Sequence, residues 1–174
     1  MNEQEISKQH LVDECKTVAE NCLYTAQAHF AMAEKATRQS RYLLIVPSGV
    51  SALAGILTSV GLPGWIGAFA AVSGLITGVS SAVGVDRKAL SHKQAGNLFT
   101  ALRHEARALY ETYSLELPYE QFVAETRRIN DRYNSLIQAL ETTDSAAFEV
   151  ARQRIKAGYF KADFSEGQTD QTKE

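Results

Sequence analysis

Residues 42–85 contain no Asp, Glu, Lys, Arg or His, an uninterrupted run of 44 residues in a 174-residue chain that is strongly charged on either side of it. An α-helix rises 1.5 Å per residue, so about 20 apolar residues cross the roughly 30 Å hydrocarbon core of a bilayer. Forty-four residues are too many for one span and suit two. Gly61, Leu62, Pro63 and Gly64 divide the run near its middle, and Pro with flanking Gly ends one helix and turns the chain. The expectation is a transmembrane hairpin with spans at about 42–60 and 65–85.

Lys and Arg near span ends are retained on the cytoplasmic side, whereas a short translocated loop carries few of them. Lys35, Arg38 and Arg41 precede the run, and Arg87, Lys88 and Lys93 follow it. Both termini are therefore expected in the cytoplasm, with Trp65 an interfacial anchor at the turn and Tyr42 its counterpart at the inner face. Glu3 and Glu5 stand ahead of Ile6, with neither a basic leader nor an early apolar run, so no secretory signal is read there. The rival is a buried hairpin in a soluble protein, which can also be apolar all round.

Eight of the eleven glycines fall in the charge-free run. Small residues four apart form ridges, with Ser51, Gly55 and Ser59 in the first span, and Gly67 with Ala71 and Gly74 with Gly78 and Ala82 in the second. In lipid, apolar side chains gain little by meeting one another, and small-residue ridges let backbones approach closely. Gly55, Gly67, Gly74 and Gly78 are thus candidate packing and assembly positions in a homo-oligomer. Ser48, Ser51, Thr58, Ser73, Thr77 and Ser80 give each span a weakly polar stripe. Two roles stay open for the stripes: their hydroxyls bond helix carbonyls, or they line a narrow aqueous path. Arg38, Arg41, Arg87 and Lys88 are either a positive cytoplasmic mouth or ordinary topology signals. The absence of a charged residue within the run argues against a proton-coupled pump.

The flanks read as helices throughout. Leu11, Cys15, Val18, Cys22, Ala26, Phe30 and Ala33 recur at steps of three and four in a stretch, 3–41, that has no Pro or Gly. Pro47 would then remove a hydrogen bond early in the first span and kink it. Cys15 and Cys22 lie two helical turns apart, roughly 10 Å along the axis, which bars an intrachain disulfide. They are either core-facing thiols or a bridge to a parallel partner helix. After the run, Ala95, Phe99, Leu102, Ala106, Leu109 and Tyr113 continue a stripe, and Pro118 opens a further helix with Phe122, Thr126, Ile129, Tyr133, Leu136 and Leu140 on one face. Asp144 suits the N-cap of a last helix carrying Phe148, Ala151 and Ile155, and the polar end of the chain has the composition of a disordered tail.

The fold class expected is therefore an all-α membrane protein, a two-helix transmembrane hairpin continuing into a cytoplasmic helical stalk or bundle. Its parts are a cytoplasmic amphipathic helix at 1–41, the hairpin at 42–85, cytoplasmic helices at 86–160 and a tail at 161–174.

Chemistry of other kinds is not indicated. The net charge of −2 and the lack of a basic stripe interleaved with aromatics leave no direct nucleic-acid partner. His10, His29, His92 and His104 are scattered without metal-ligand spacing, no glycine-rich loop cradles phosphate, and Glu116 with Glu120 lacks an apolar setting. No enzyme activity, metal or cofactor is expected, and the lipid bilayer is the expected partner.

The layout as a whole, with the stretch Ala31, Met32, Ala33, Glu34, Lys35, Ala36 and the small-residue segment 74–84, resembles the SLATT family over about residues 12–155. This family comprises two-transmembrane effector domains associated with bacterial nucleotide-signalling conflict systems. The resemblance implies an anti-phage effector that oligomerises in the bacterial inner membrane and opens a pore, under the control of a sensor or nucleotide-generating protein. The alternative is a passive two-span anchor whose cytoplasmic helices recruit a partner.

Overall fold

The structure, a computed structural model, describes residues 3–61, 65, 67–83 and 85–158. Five α-helices follow one another: α1 (Glu3–Ser59), α2 (Gly67–Val83), α3 (Val85–Ala108), α4 (Tyr119–Ala139) and α5 (Ser145–Lys156), with a π-helical turn at Leu109–Tyr113. No strand occurs among the described residues, so the chain is all-α. The chain divides into two compact units, one of residues 1–31 with 93–174 and the other of residues 32–92.

The first unit is a helical bundle. Its core combines Cys15, Val18, Ala19, Cys22 and Ala26 of α1, Phe99, Leu102 and Ala106 of α3, Leu109, and Phe122 and Ile129 of α4. These positions repeat at three and four along each helix, which gathers the apolar groups on one stripe and drives its burial. Tyr133, Leu136 and Leu140 extend the α4 face against the same core. Gly96 admits an unusually close neighbour: a Cβ built there would lie 2.6 Å from Cε1 of Phe30. The ring of Phe30 occupies the space that any other residue would fill.

The helix ends follow local chemistry. Pro118 precedes α4 in an extended conformation, which a proline-fixed φ favours, and its carbonyl accepts the first helical bond from Phe122 N at 3.0 Å. Asp144 caps α5, its Oδ1 accepting from Ala147 N at 2.6 Å. Ala147, Ala151 and Ile155 are buried, while Tyr24 of α1 stacks on Phe148 with ring centroids 5.9 Å apart. Polar ties cross between elements at the rim. Arg132 donates to both oxygens of Glu105, at 2.7 and 2.6 Å, Asn130 donates to Glu14 at 2.6 Å, and Lys8 Nζ donates to the Leu117 carbonyl at 3.2 Å.

Both cysteines are free and enclosed in this core. Burial pushes the Cys22 thiol up to about 12, slightly opposed by the positive charge of Arg103. Burial likewise raises the Cys15 thiol, although its contact with the Thr126 hydroxyl at 3.5 Å works the other way. Of the two roles open for the pair, the core-facing one is observed, and a thiol at 0 or 1 % exposure is out of reach of a partner chain.

The second unit has the opposite character. Within this unit α1 runs through Pro47 without interruption, and its residues 32–59 correspond to about 42 Å. It is the one described helix long and apolar enough by itself to cross a membrane, and only 11 % of its most apolar stretch is buried. Leu44, Ile45, Val46, Leu53, Ile56 and Val60 each expose more than half of their surface. In α2, whose 17 residues give about 26 Å, Phe69, Val72, Leu75 and Val79 do the same.

Candidate functional site

The apolar unit and its basic flanks hold the residues that the sequence singles out. Pro47 and Ala54 are buried and Ser51 is half-buried, and their spacing of four and three places them on one face of α1. In α2, Ser73 is buried at 5 % exposure and Thr77, one turn on, is half-buried. Ser48 and Thr58 are exposed, so the expected stripe of the first span divides between two environments. The side chain of Ser80 and the surroundings of Gly67 lie outside the described residues.

Most of the described hydroxyls are turned back onto their own helices. Ser48 donates to the Leu44 carbonyl at 2.6 Å, Thr58 to Ala54 at 2.8 Å, Ser73 to Phe69 at 2.7 Å and Thr77 to Ser73 at 3.0 Å. This i to i−4 bond satisfies the hydroxyl proton in an apolar setting and leaves the oxygen lone pairs. Such a surface can still accept a hydrogen bond from water.

The described glycines of this unit face outward. A Cβ added at Gly49, Gly55, Gly74 or Gly78 would meet nothing within 4 Å. No close helix approach within one chain uses these positions. Pro47 and Ala54 stand four and three residues from Ser51, a step that puts them on its face of α1 and that can be read from the sequence alone.

The flanking cations differ from those of the bundle. There, Lys16 pairs with Asp13 at 3.1 Å, Arg107 with Glu111 at 2.6 Å, Arg128 with Glu125 at 3.2 Å, Arg132 with Glu105 at 2.6 Å and Arg152 with Glu149 at 3.5 Å. Arg38, Arg41, Arg87 and Lys88 are all exposed, and among the described residues none has a carboxylate partner.

The histidines divide by environment. His10 and His104 are exposed, while His29 and His92 are buried, with the His29 ring stacked on Phe99 at 5.7 Å. Among the described residues no three His, Cys, Asp or Glu side chains are placed to hold a metal ion. Comparison with protein-family models, curated proteins and solved structures finds no match to this chain.

Proposed function

We propose that the chain is the membrane effector of a bacterial anti-phage or conflict system, a homo-oligomer in the inner membrane that opens a pore when triggered. In this reading the two spans are residues 42–60 and 65–85, and both termini are cytoplasmic. The observation that carries it is the outward, open environment of Gly55, Gly74 and Gly78 on helices whose large apolar side chains are also exposed. Water would penalise such a surface, whereas lipid and neighbouring copies would cover it. The weakly polar hydroxyl stripes supply surface that tolerates water within an assembly. A sensor or nucleotide-generating protein would act on the helical bundle, and the resemblance to SLATT domains supplies that class of trigger.

The test is reconstitution of the full chain in liposomes with an entrapped dye, with and without its genomic neighbours. Triggered release that Gly78→Leu abolishes supports the pore. An oligomer that never leaks under any trigger counts against it, and recovery of the chain from the soluble fraction without detergent removes the membrane assignment altogether.

The inward hydrogen bonds of Ser48, Thr58, Ser73 and Thr77 favour a second reading, a passive two-span anchor whose bundle recruits a partner protein. Exchange of residues 42–85 for an unrelated hairpin separates the two. An anchor keeps its function after the exchange, and a pore loses it.

A further inference from the structure

We propose that Arg38, Arg41, Arg87 and Lys88 form a binding collar for anionic phospholipids, gripping their phosphate groups at the bilayer surface. The inference rests on the membrane reading above and adds to it a specific ligand class.

Charge is partitioned unevenly along the chain. Residues 32–92 hold five Lys and Arg against two Asp and Glu, although the whole chain carries −2. Four of those five cations are exposed and lack a carboxylate partner among the described residues, unlike Arg107 and Arg132 of the bundle. An exposed guanidinium without an internal carboxylate keeps its donor fork available, and that fork matches a phosphate bidentately.

Position selects lipid over a free anion. Arg41 adjoins Tyr42, where the charge-free run begins, and Arg38 lies one turn earlier; Arg87 and Lys88 stand two and three residues beyond its end at Val85. Long basic side chains at such positions lay their stems along apolar surface and raise their charge to headgroup depth. Beside Arg41, Tyr42 at 63 % and Ile45 at 64 % exposure, and one turn from Arg87, Leu90 at 55 %, present apolar surface of the kind that receives acyl chains. Paired cationic and apolar surfaces suit an amphiphile, and inorganic phosphate would use only the first.

The experiment is native mass spectrometry of the detergent-solubilised full chain titrated with phosphatidylglycerol or phosphatidylcholine, and with phosphatidylglycerol in the presence of inorganic phosphate. Phosphatidylglycerol should be retained about tenfold or more over phosphatidylcholine, as expected for several cations each attracting an anionic headgroup. R38Q/R41Q/R87Q/K88Q should lose that preference, and R38K/R41K/R87K, which keeps the charge but gives up the guanidinium fork, should keep only part of it. Equal retention of the two lipids by the unaltered chain overturns the collar, as does full competition by inorganic phosphate. The lipid comparison on the unaltered chain decides the matter even if the glutamine variant does not insert. Carbonate extraction run alongside separates the failures. A chain that stays in the membrane pellet without lipid preference refutes the collar alone, and a chain released to the supernatant refutes the membrane reading.

Discussion

In the bundle, Gly96 lies beneath the ring of Phe30, whereas Gly78 of the apolar unit faces open space. The same residue type thus serves two purposes in one chain. At Gly96 the missing side chain is already filled by a neighbour. At Gly78 nothing fills it, and its value depends on what comes to it from outside. Charge shows the same contrast, since the bundle satisfies many of its cations internally and the apolar unit leaves four of its flanking ones unpaired. The bundle is organised around its own interior, and the apolar unit is organised toward its surroundings.

The contrast is open to direct attack. Phe99 is 1 % exposed and stands near both His29 and Tyr133, so Phe99→Ala should cost about 3–5 kcal/mol in denaturant unfolding of the detergent-solubilised chain. Leu53→Ala, at a position 62 % exposed, should cost well under about 1 kcal/mol in the same assay. Comparable losses would erase the distinction between the units.

Next in size is a pH effect confined to the bundle. The Cys22 thiol rises on folding from 9.0 to about 12, so the folded state holds its proton more tightly. Its stabilising contribution is complete below pH 9 and fades as pH climbs toward 12, by up to about 4 kcal/mol in all. Tyr133, also raised by burial, adds a loss of the same sign. The stability difference between the unaltered chain and Cys22→Ala, measured from pH 8 upward, should therefore shrink or reverse with rising pH. A constant difference would mean that the thiol is solvated.

Glycine replacement sharpens the comparison at smaller magnitude. Gly96→Ala should destabilise the bundle by about 1–3 kcal/mol through collision with Phe30. Gly78→Ala has room and a better helix former, and should leave monomer stability unchanged or raise it by up to about 1 kcal/mol. Should Gly78→Ala lower the oligomer population measured by cross-linking, a second copy packs there. The smallest effect expected is at the end of α5, where Asp144→Ala should cost about 1 kcal/mol, read from the same unfolding curves.

Much of the bundle could be read from spacing alone. Phe122, Thr126 and Ile129 repeat as a buried helical face must, and all three are buried; Asp144 stands where a cap belongs and accepts the expected bond. These features are local, set by residues within two turns of one another. Gly96 was not legible, because its meaning comes from Phe30, which lies 66 positions earlier in the chain. The π-helical turn at Leu109–Tyr113 was not legible either: it turns Tyr113, expected on the buried stripe, out to 46 % exposure, and the steps of three and four leading up to it give no warning. In the apolar unit, composition pointed to small-residue ridges, but no spacing rule tells whether a neighbour lies against them. The same limit applies to Arg38 and Arg132, which look alike in sequence and differ in whether a carboxylate reaches them.

The enclosure of Cys15 and Cys22 gives the bundle a built-in clock. A thiol-specific reagent added to the intact chain reaches neither sulfur until the helices part, so the labelling rate under mild reagent reports the free energy of that opening. Any partner or ligand that loosens the bundle would quicken the clock.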